Sequence, residues 1–210
     1  MPQIGLPTYP YRTTPLMRHK IFTGSLALAT TALVSGAAMG QLGSGGHVFD
    51  ASKHQKSHGA ELTVIYPVGL TARASNRPRV VQSFVGTSEG VDLVMTLGLE
   101  AGEEDIEAYC ASRTPEDWRK SFQDSNMQVL HVQAVRWKNR PSIKVVGAQI
   151  TMSDGFQIHS RTQTFSICHK RYRVSLTCGT SAGSDAKVKS LMQQARATCE
   201  RFYDSLTFNE

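Results

Sequence analysis

The chain has 210 residues, of which 40% are hydrophobic and 19% are charged. This composition fits one ordinary globular domain or two very small ones, and it excludes a wholly disordered chain, a collagen and a coiled coil. The formal net charge is +6. Residues 1–40 carry three basic side chains and no acid, so the remainder carries only +3. Bulk charge therefore does not indicate a protein that binds nucleic acid.

The strongest feature of the sequence is a secretory signal peptide at 17–40. A basic start precedes an uncharged stretch at 21–36, which is shorter than the ~20 apolar residues of a membrane span. Small residues follow at Ala38 and Gly40 and fit a cut before Gln41. We predict an exported protein, periplasmic or extracellular, with no stable membrane span after cleavage. An uncleaved anchor is the alternative.

The segments on either side of the signal carry no predicted fold. Residues 1–16 hold four of the eight prolines. Either Met17 is the true initiator and this segment is not translated, or it is a disordered extension. Residues 41–60 are rich in Gly, Ser, His and Lys without hydrophobic periodicity, which predicts a flexible leader.

Residues 61–210 predict a single globular α+β domain. Period-2 alternation of apolar side chains, interrupted by short turns, is typical of antiparallel strands. The predicted strands are 62–66, 79–87, 91–99, 129–137, 143–152, 156–167, 172–178 and a final short one at 206–208. Hairpins with segregated helices predict a twisted antiparallel sheet on which the helices pack.

Three helices are predicted from capping residues and from apolar side chains at helical spacing. The first follows Gly102, and the second begins at the Thr114 cap with a proline in its first turn. The third covers 184–203 and has a clear apolar stripe of period 3.6.

Four cysteines lie beyond the predicted cut: Cys110, Cys168, Cys178 and Cys199. An even number in an exported chain favours two disulfides over a metal site, and spacing alone leaves three pairings open. Cys199 lies about 14 residues, or ~21 Å, into the last helix. If that helix folds back along the preceding strand, Cys199 reaches the turn after Cys168. We therefore favour Cys168–Cys199 and Cys110–Cys178. The objection is that a two-residue turn would point Cys168 away from the apolar face of the next strand.

Two short segments resemble the PsbP-like superfamily, which includes photosystem II extrinsic proteins and many small exported bacterial proteins. Residues 65–70 read IYPVGL, and residues 202–208 read FYDSLTF. Together with the order of the elements, the resemblance covers roughly 61–208. It implies an α/β/α sandwich around an antiparallel sheet and a non-enzymatic interaction or accessory role. It supplies no catalytic motif, so no functional residue is transferred.

Histidines and cysteines offer two candidate chemistries, and neither is favoured. His54 and His58 could share a metal on a helix, with His47 upstream, but their Gly- and Ser-rich surroundings favour a solvated leader. Cys168 and His169 are adjacent, so in a strand their side chains point to opposite faces and do not meet. A disulfide is the better interpretation of Cys168 in an oxidising compartment. We predict no metal, no cofactor and no assigned catalytic residue.

The most suggestive surface is basic and lies on two hairpins. Its candidate residues are Arg136, Lys138, Arg140, Lys170, Arg171 and Arg173, with Lys144 and His169 beside them. If the two turns are neighbours, they form a positive edge for an acidic partner or a lipid head group. The alternative is that the charges only protect exposed edges from pairing. Interleaved aromatic residues of the nucleic-acid-binding type are absent.

The sequence therefore predicts an exported, non-enzymatic binding or accessory protein of the cell envelope, acting through protein–protein interaction. One alternative is an enzyme with an unrecognised Cys/His or acid site. Another is a periplasmic inhibitor or immunity protein. The identity of the partner and the oligomeric state do not follow from the sequence.

Overall fold

A computed structural model describes residues 45–102, 105–122 and 127–209. The predicted signal peptide and the segment before it lie outside the described residues. The strands are β1 (Gly46–Asp50), β2 (Leu62–Pro67), β3 (Leu70–Arg73), β4 (Val80–Ser88), β5 (Val91–Ala101), β6 (Gln128–Trp137), β7 (Arg140–Ser153), β8 (Phe156–His169), β9 (Tyr172–Ala182) and β10 (Thr207–Phe208). The helices are α1 (Ile106–Ser112), α2 (Pro115–Ser121), α3 (Asp185–Gln194) and α4 (Arg196–Asp204), with a short 3-10 helix at Gln55–Ser57.

Seven strands form a large antiparallel sheet in the order β3-β4-β5-β9-β8-β7-β6. A small antiparallel sheet has the order β1-β2-β10. Chain neighbours pair as hairpins from β3 to β5 and from β6 to β9, as the alternating apolar pattern predicts. The predicted α+β class is confirmed.

Helices cover both faces of the large sheet. On one face, α3, α4 and the small sheet enclose the larger apolar cluster, whose centre includes Phe84, Leu97, Leu176 and Phe202. On the other face, α1 and α2 cover a smaller cluster around Trp118. The predicted α/β/α layering is therefore confirmed. The predicted helix over 184–203 is divided at Ala195, where α3 ends and α4 begins.

Within the described ranges, no helix combines the length and the apolar character that crossing a lipid bilayer requires.

The flexible leader predicted over 41–60 is wrong for its described part. β1 pairs with β2 along its whole length, from Gly46 opposite Pro67 to Asp50 opposite Thr63. The ring of Phe49 packs edge-on against Phe84, with 5.6 Å between centroids. The strand has only five residues among many Gly, Ser and His, so its alternation is too short to be recognised from sequence.

The predicted disulfide pairing is also wrong. The bonds are Cys110–Cys168 and Cys178–Cys199. Cys168 lies opposite Arg173 across β8 and β9, and directly opposed residues share a face of the sheet. Cys178 lies an odd number of residues from Arg173 and so faces the other side, where α4 carries Cys199. Cys168 therefore points away from the apolar face that includes Cys178, as the alternation of side chains along the strands requires. It faces α1, which carries Cys110.

Candidate functional site: the basic end of the large sheet

Two hairpin turns that carry cations lie side by side at one end of the large sheet. β7 and β8 are adjacent, and Ser142 lies opposite Ile167. Extending this register brings the start of β7 beside the end of β8. The β6–β7 turn at 138–139 and the β8–β9 turn at 170–171 are therefore neighbours.

The turn conformations explain why polar residues occupy these positions. Lys138 and Asn139 both have positive φ, 46° and 66°, as a two-residue turn of type I′ requires. Lys170 also has a positive φ of 51°. Such turns direct their side chains into solvent. We call the exposed cations on and beside the two turns the basic end; it consists of Arg136, Lys138, Lys170 and Arg171.

Glu107 of α1 holds the two turns together. Its Oε1 accepts a hydrogen bond from the backbone N–H of Lys170 at 2.9 Å and lies 2.9 Å from Nδ1 of His169. The same oxygen lies 3.7 Å from Nη1 of Arg140. Asp105 caps α1 by accepting from the N–H of Glu107 at 3.0 Å, so the capped helix fixes this carboxylate. Glu107 therefore offsets part of the positive charge at this end.

Two of the six predicted cations are used in packing. Arg173 forms an ion pair with Glu100, and its guanidinium carbon lies 5.6 Å from the centroid of the Trp118 ring. Arg140 is half-buried and forms the ion pair with Glu107. Lys144 lies within β7, away from the turn. The structure therefore brings the turn cations together and places Arg140 and Arg173 beneath the exposed surface.

The remaining cations have local contacts that leave them exposed. Nζ of Lys138 donates to the carbonyl of Leu206 at 3.2 Å and lies 4.3 Å from the Trp137 ring centroid. Nη2 of Arg171 donates to the hydroxyl of Tyr172 at 2.9 Å. Both contacts are made to neutral groups, so they orient these cationic groups without themselves neutralising the charge.

A cavity of about 350 Å³ adjoins the basic end, between β6, β7 and the first two helices. Its walls include Arg113, Trp118, Arg136, Pro141, Ile143 and the Cys110–Cys168 disulfide. The guanidinium carbon of Arg113 lies 4.9 Å from the Trp118 ring centroid, and its Nη2 donates to the hydroxyl of Ser121 at 2.7 Å. No motif in the sequence singles out Arg113. The one sequence feature that points to Arg113 is its position directly before the Thr114 cap. The start of a helix restricts the backbone there and so helps to orient neighbouring side chains.

A second, larger cleft lies at the opposite end of the large sheet and has a volume of about 770 Å³. It is lined by both segments that resemble the PsbP-like superfamily, including Tyr66, Val68 and Phe202. At its wall, the Glu89 carboxylate accepts from Oγ1 of Thr198 at 2.8 Å and from Nη2 of Arg201 at 2.6 Å. These two hydrogen bonds hold the pKa of Glu89 below its usual value. The sequence pattern alone identifies Glu89 only as a turn residue between two predicted strands.

The β7–β8 hairpin projects beyond its neighbours and exposes apolar side chains. Among the residues that the structure describes, β6 pairs as far as Ala148 and β9 pairs as far as His159. Beyond them, Ile150, Met152 and Phe156 are 61%, 65% and 75% exposed. Exposed apolar side chains grouped in this way are typical of interaction surfaces.

The alternative chemistries have definite positions in the structure. His54 caps the 3-10 helix, where its Nδ1 accepts from the N–H of Lys56 at 3.2 Å. His58 follows the same helix in a left-handed conformation. In the part of the chain that the structure describes, no three His, Cys, Asp or Glu side chains are grouped to hold a metal ion. Cys168 is disulfide-bonded, so its sulfur is not the thiol that a Cys168–His169 nucleophile needs.

The chain is similar to several solved structures. Cyanobacterial PsbP (CyanoP) from Synechocystis sp. PCC 6803 is 10% identical with a TM-score of 0.49, and the match covers 83% of this chain and 99% of that one. The Ran-binding protein Mog1p of Saccharomyces cerevisiae is 10% identical with a TM-score of 0.48, covering 81% and 96%. LpqN of Mycobacterium tuberculosis, a protein involved in cell envelope biogenesis, is 14% identical with a TM-score of 0.42, covering 71% and 84%.

No protein-family model and no curated protein matches the chain. A PsbP is thus among the solved structures to which the chain is similar. Identities this low, with TM-scores below 0.5, carry no argument about what the chain binds or does.

Proposed function

We propose that the protein is an exported, non-enzymatic binding module of the cell envelope, and that its basic end binds an acidic segment of another protein. The observation that carries this proposal is the pair of adjoining turns with four exposed cations. Glu107 holds both turns in place, so the cations are presented on a fixed frame. A fixed positive surface favours an acidic partner by complementary charge and accelerates its association.

Export is supported by two independent features of the chain. Residues 17–40 have the pattern of a signal peptide, and all four cysteines form disulfides. Disulfides persist mainly in oxidising compartments. We expect protein recovered from the envelope to begin at Gln41 and to contain no reduced thiol. An intact N-terminus on cytosolic material, with four reduced cysteines, would contradict this part of the proposal.

The binding surface is tested with a defined acidic probe. Fluorescently labelled poly-L-glutamate of about 20 residues is titrated with the 41–210 chain, and its anisotropy is measured at low and at high salt. The test variant is Lys170→Glu/Arg171→Glu. The control is Lys187→Glu/Lys189→Glu, which makes the same change in net charge on α3 at the other end of the sheet.

We expect the wild-type chain and the control to bind the probe, with an affinity that falls as salt is raised. The Lys170→Glu/Arg171→Glu variant should bind at least tenfold more weakly. Equal binding by all three chains would show that the basic end is not the site. Stronger binding to phosphatidylglycerol vesicles than to the probe would identify a lipid surface instead of an acidic protein.

A further inference from the structure

We propose that β6 accepts an extended acidic segment of the partner as an additional strand of the large sheet. This inference rests on the proposed function, because it specifies how the acidic partner is held beside the basic end. Strand addition of this kind obtains affinity from backbone hydrogen bonds and specificity from pockets for alternate side chains. β6 offers an edge of ten residues and lies beside one cavity.

β6 is the longer of the two strands that end the large sheet. It has ten residues, whereas β3 at the opposite edge has four. Between described residues, the backbone hydrogen bonds of β6 are made to β7. A long edge with unpaired N–H and C=O groups is a template for another strand.

The turn geometry identifies which backbone groups of β6 point outward. In a two-residue hairpin, the residues that flank the turn, here Trp137 and Arg140, exchange hydrogen bonds. The pairs then alternate, so Arg136 and Pro141 form a pair without hydrogen bonds. This agrees with Pro141, which has no N–H to donate. The outward N–H and C=O groups therefore belong to Val132, Ala134 and Arg136.

The regular part of this edge is long enough for a short strand. The register of β6 shifts between Val129 and His131, a bulge that disrupts the edge near its start. From Val132 to Trp137 the register is continuous. These six residues span about 20 Å at 3.3 Å per residue.

Charge and cavity indicate what kind of segment fits. β6 contains Arg136 and His131 but no acidic residue, and Lys138 follows directly in the turn. The cavity of about 350 Å³ lies beside this edge and is lined by Ala134 and Arg136, with Arg113 in its wall. An added strand would place alternate side chains towards this cavity, where carboxylates meet guanidinium groups. A second copy of β6 would instead bring cations to cations, so complementarity favours an acidic segment.

The experiment uses the wild-type 41–210 chain and the peptide acetyl-(Glu-Val)4-amide, with acetyl-(Lys-Val)4-amide as the matched control. Amide hydrogen exchange is followed by NMR. We expect the glutamate peptide to slow exchange at Val132, Ala134 and Arg136 by at least tenfold, because their N–H groups become donors to the added strand. The lysine peptide should leave these amides unchanged.

A variant tests the same backbone group by binding. Ala134→Pro removes one outward N–H and no ladder bond to β7, so the fold should persist and the affinity for the glutamate peptide should fall at least tenfold. Ala134→Ser keeps the N–H and should bind like wild type. Thermal unfolding followed by circular dichroism checks that both variants are folded. If Ala134→Pro is unfolded, the exchange experiment on the wild-type chain decides whether the peptide pairs with β6.

Failure of this inference is distinguishable from failure of the proposed function. Poly-L-glutamate binding that depends on Lys170 and Arg171, with no protection of the β6 amides by the glutamate peptide, would overturn strand addition and leave the basic end as the site. If poly-L-glutamate binding does not depend on Lys170 and Arg171, and the glutamate peptide does not protect the β6 amides, both proposals are overturned. Protection of the β6 amides without peptide, together with a dimer in sedimentation, would show pairing between two copies and would also overturn strand addition.

Discussion

The disulfide pairing gives the sharpest test of the structure. The Cys110→Ala/Cys168→Ala variant removes a bond that spans 58 residues, and the Cys178→Ala/Cys199→Ala variant removes one that spans 21. Loop-closure entropy of the unfolded chain predicts losses of about 4 and about 3 kcal/mol. With a urea dependence of about 2 kcal/mol per M, the first loss lowers the unfolding midpoint by about 2 M.

Thiol titration of the variants in denaturant, without reductant, then decides the connectivity. Cys110→Ala/Cys168→Ala should contain no free thiol, because Cys178 and Cys199 still pair. As a control, Cys168→Ala/Cys199→Ala should contain two free thiols, because it breaks both bonds. Two free thiols in the first variant and none in the control would refute the pairing and restore the one favoured from sequence.

Two further substitutions test contacts around the larger cleft. The pKa of Glu89 is lower in the folded chain than its usual value of 4.5, because the carboxylate accepts hydrogen bonds from Thr198 and Arg201. These bonds therefore stabilise the fold fully above pH 4.5. The stabilisation is lost as the pH falls through the pKa of the folded state. The difference in free energy of unfolding between wild type and Glu89→Gln should therefore shrink between pH 7 and pH 3 in urea titrations, and a constant difference would contradict this. A Cβ at Gly69 would lie 1.9 Å from a backbone oxygen of β4, so Gly69→Ala should cost about 3 kcal/mol in the same assay. Gly183→Ala, where a Cβ meets nothing within 4 Å, should change stability by less than about 0.5 kcal/mol; equal losses for the two would refute the steric argument.

The strands and hairpins of the large sheet could be predicted because each is a local pattern. Alternating apolar residues and short polar turns specify β4–β5 and β6 to β9 without knowledge of distant contacts. The pairing of β5 with β9 is different, because these strands are separated by two helices and three strands. No local signal specifies that contact.

The candidate site was predictable in part for the same reason. The cations of two turns could be recognised, and their proximity follows from antiparallel pairing of consecutive strands. The role of Glu107 could not be recognised, because it depends on how α1 packs against the end of β8. The sequence alone groups Arg173 with the exposed cations, because its contact with Glu100 is made across β5 and β9.

The two disulfides join cysteines that are consecutive along the chain. For a polypeptide that crosses a membrane N-terminus first, Cys110 and Cys168 enter the oxidising side before Cys178 and Cys199. Simple oxidation in order of emergence then yields the native bonds, and no later rearrangement by thiol–disulfide exchange is needed. If the chain is exported in this way, its connectivity requires only an oxidase, whereas Cys168–Cys199 with Cys110–Cys178 would require an isomerase wherever Cys110 first pairs with Cys168.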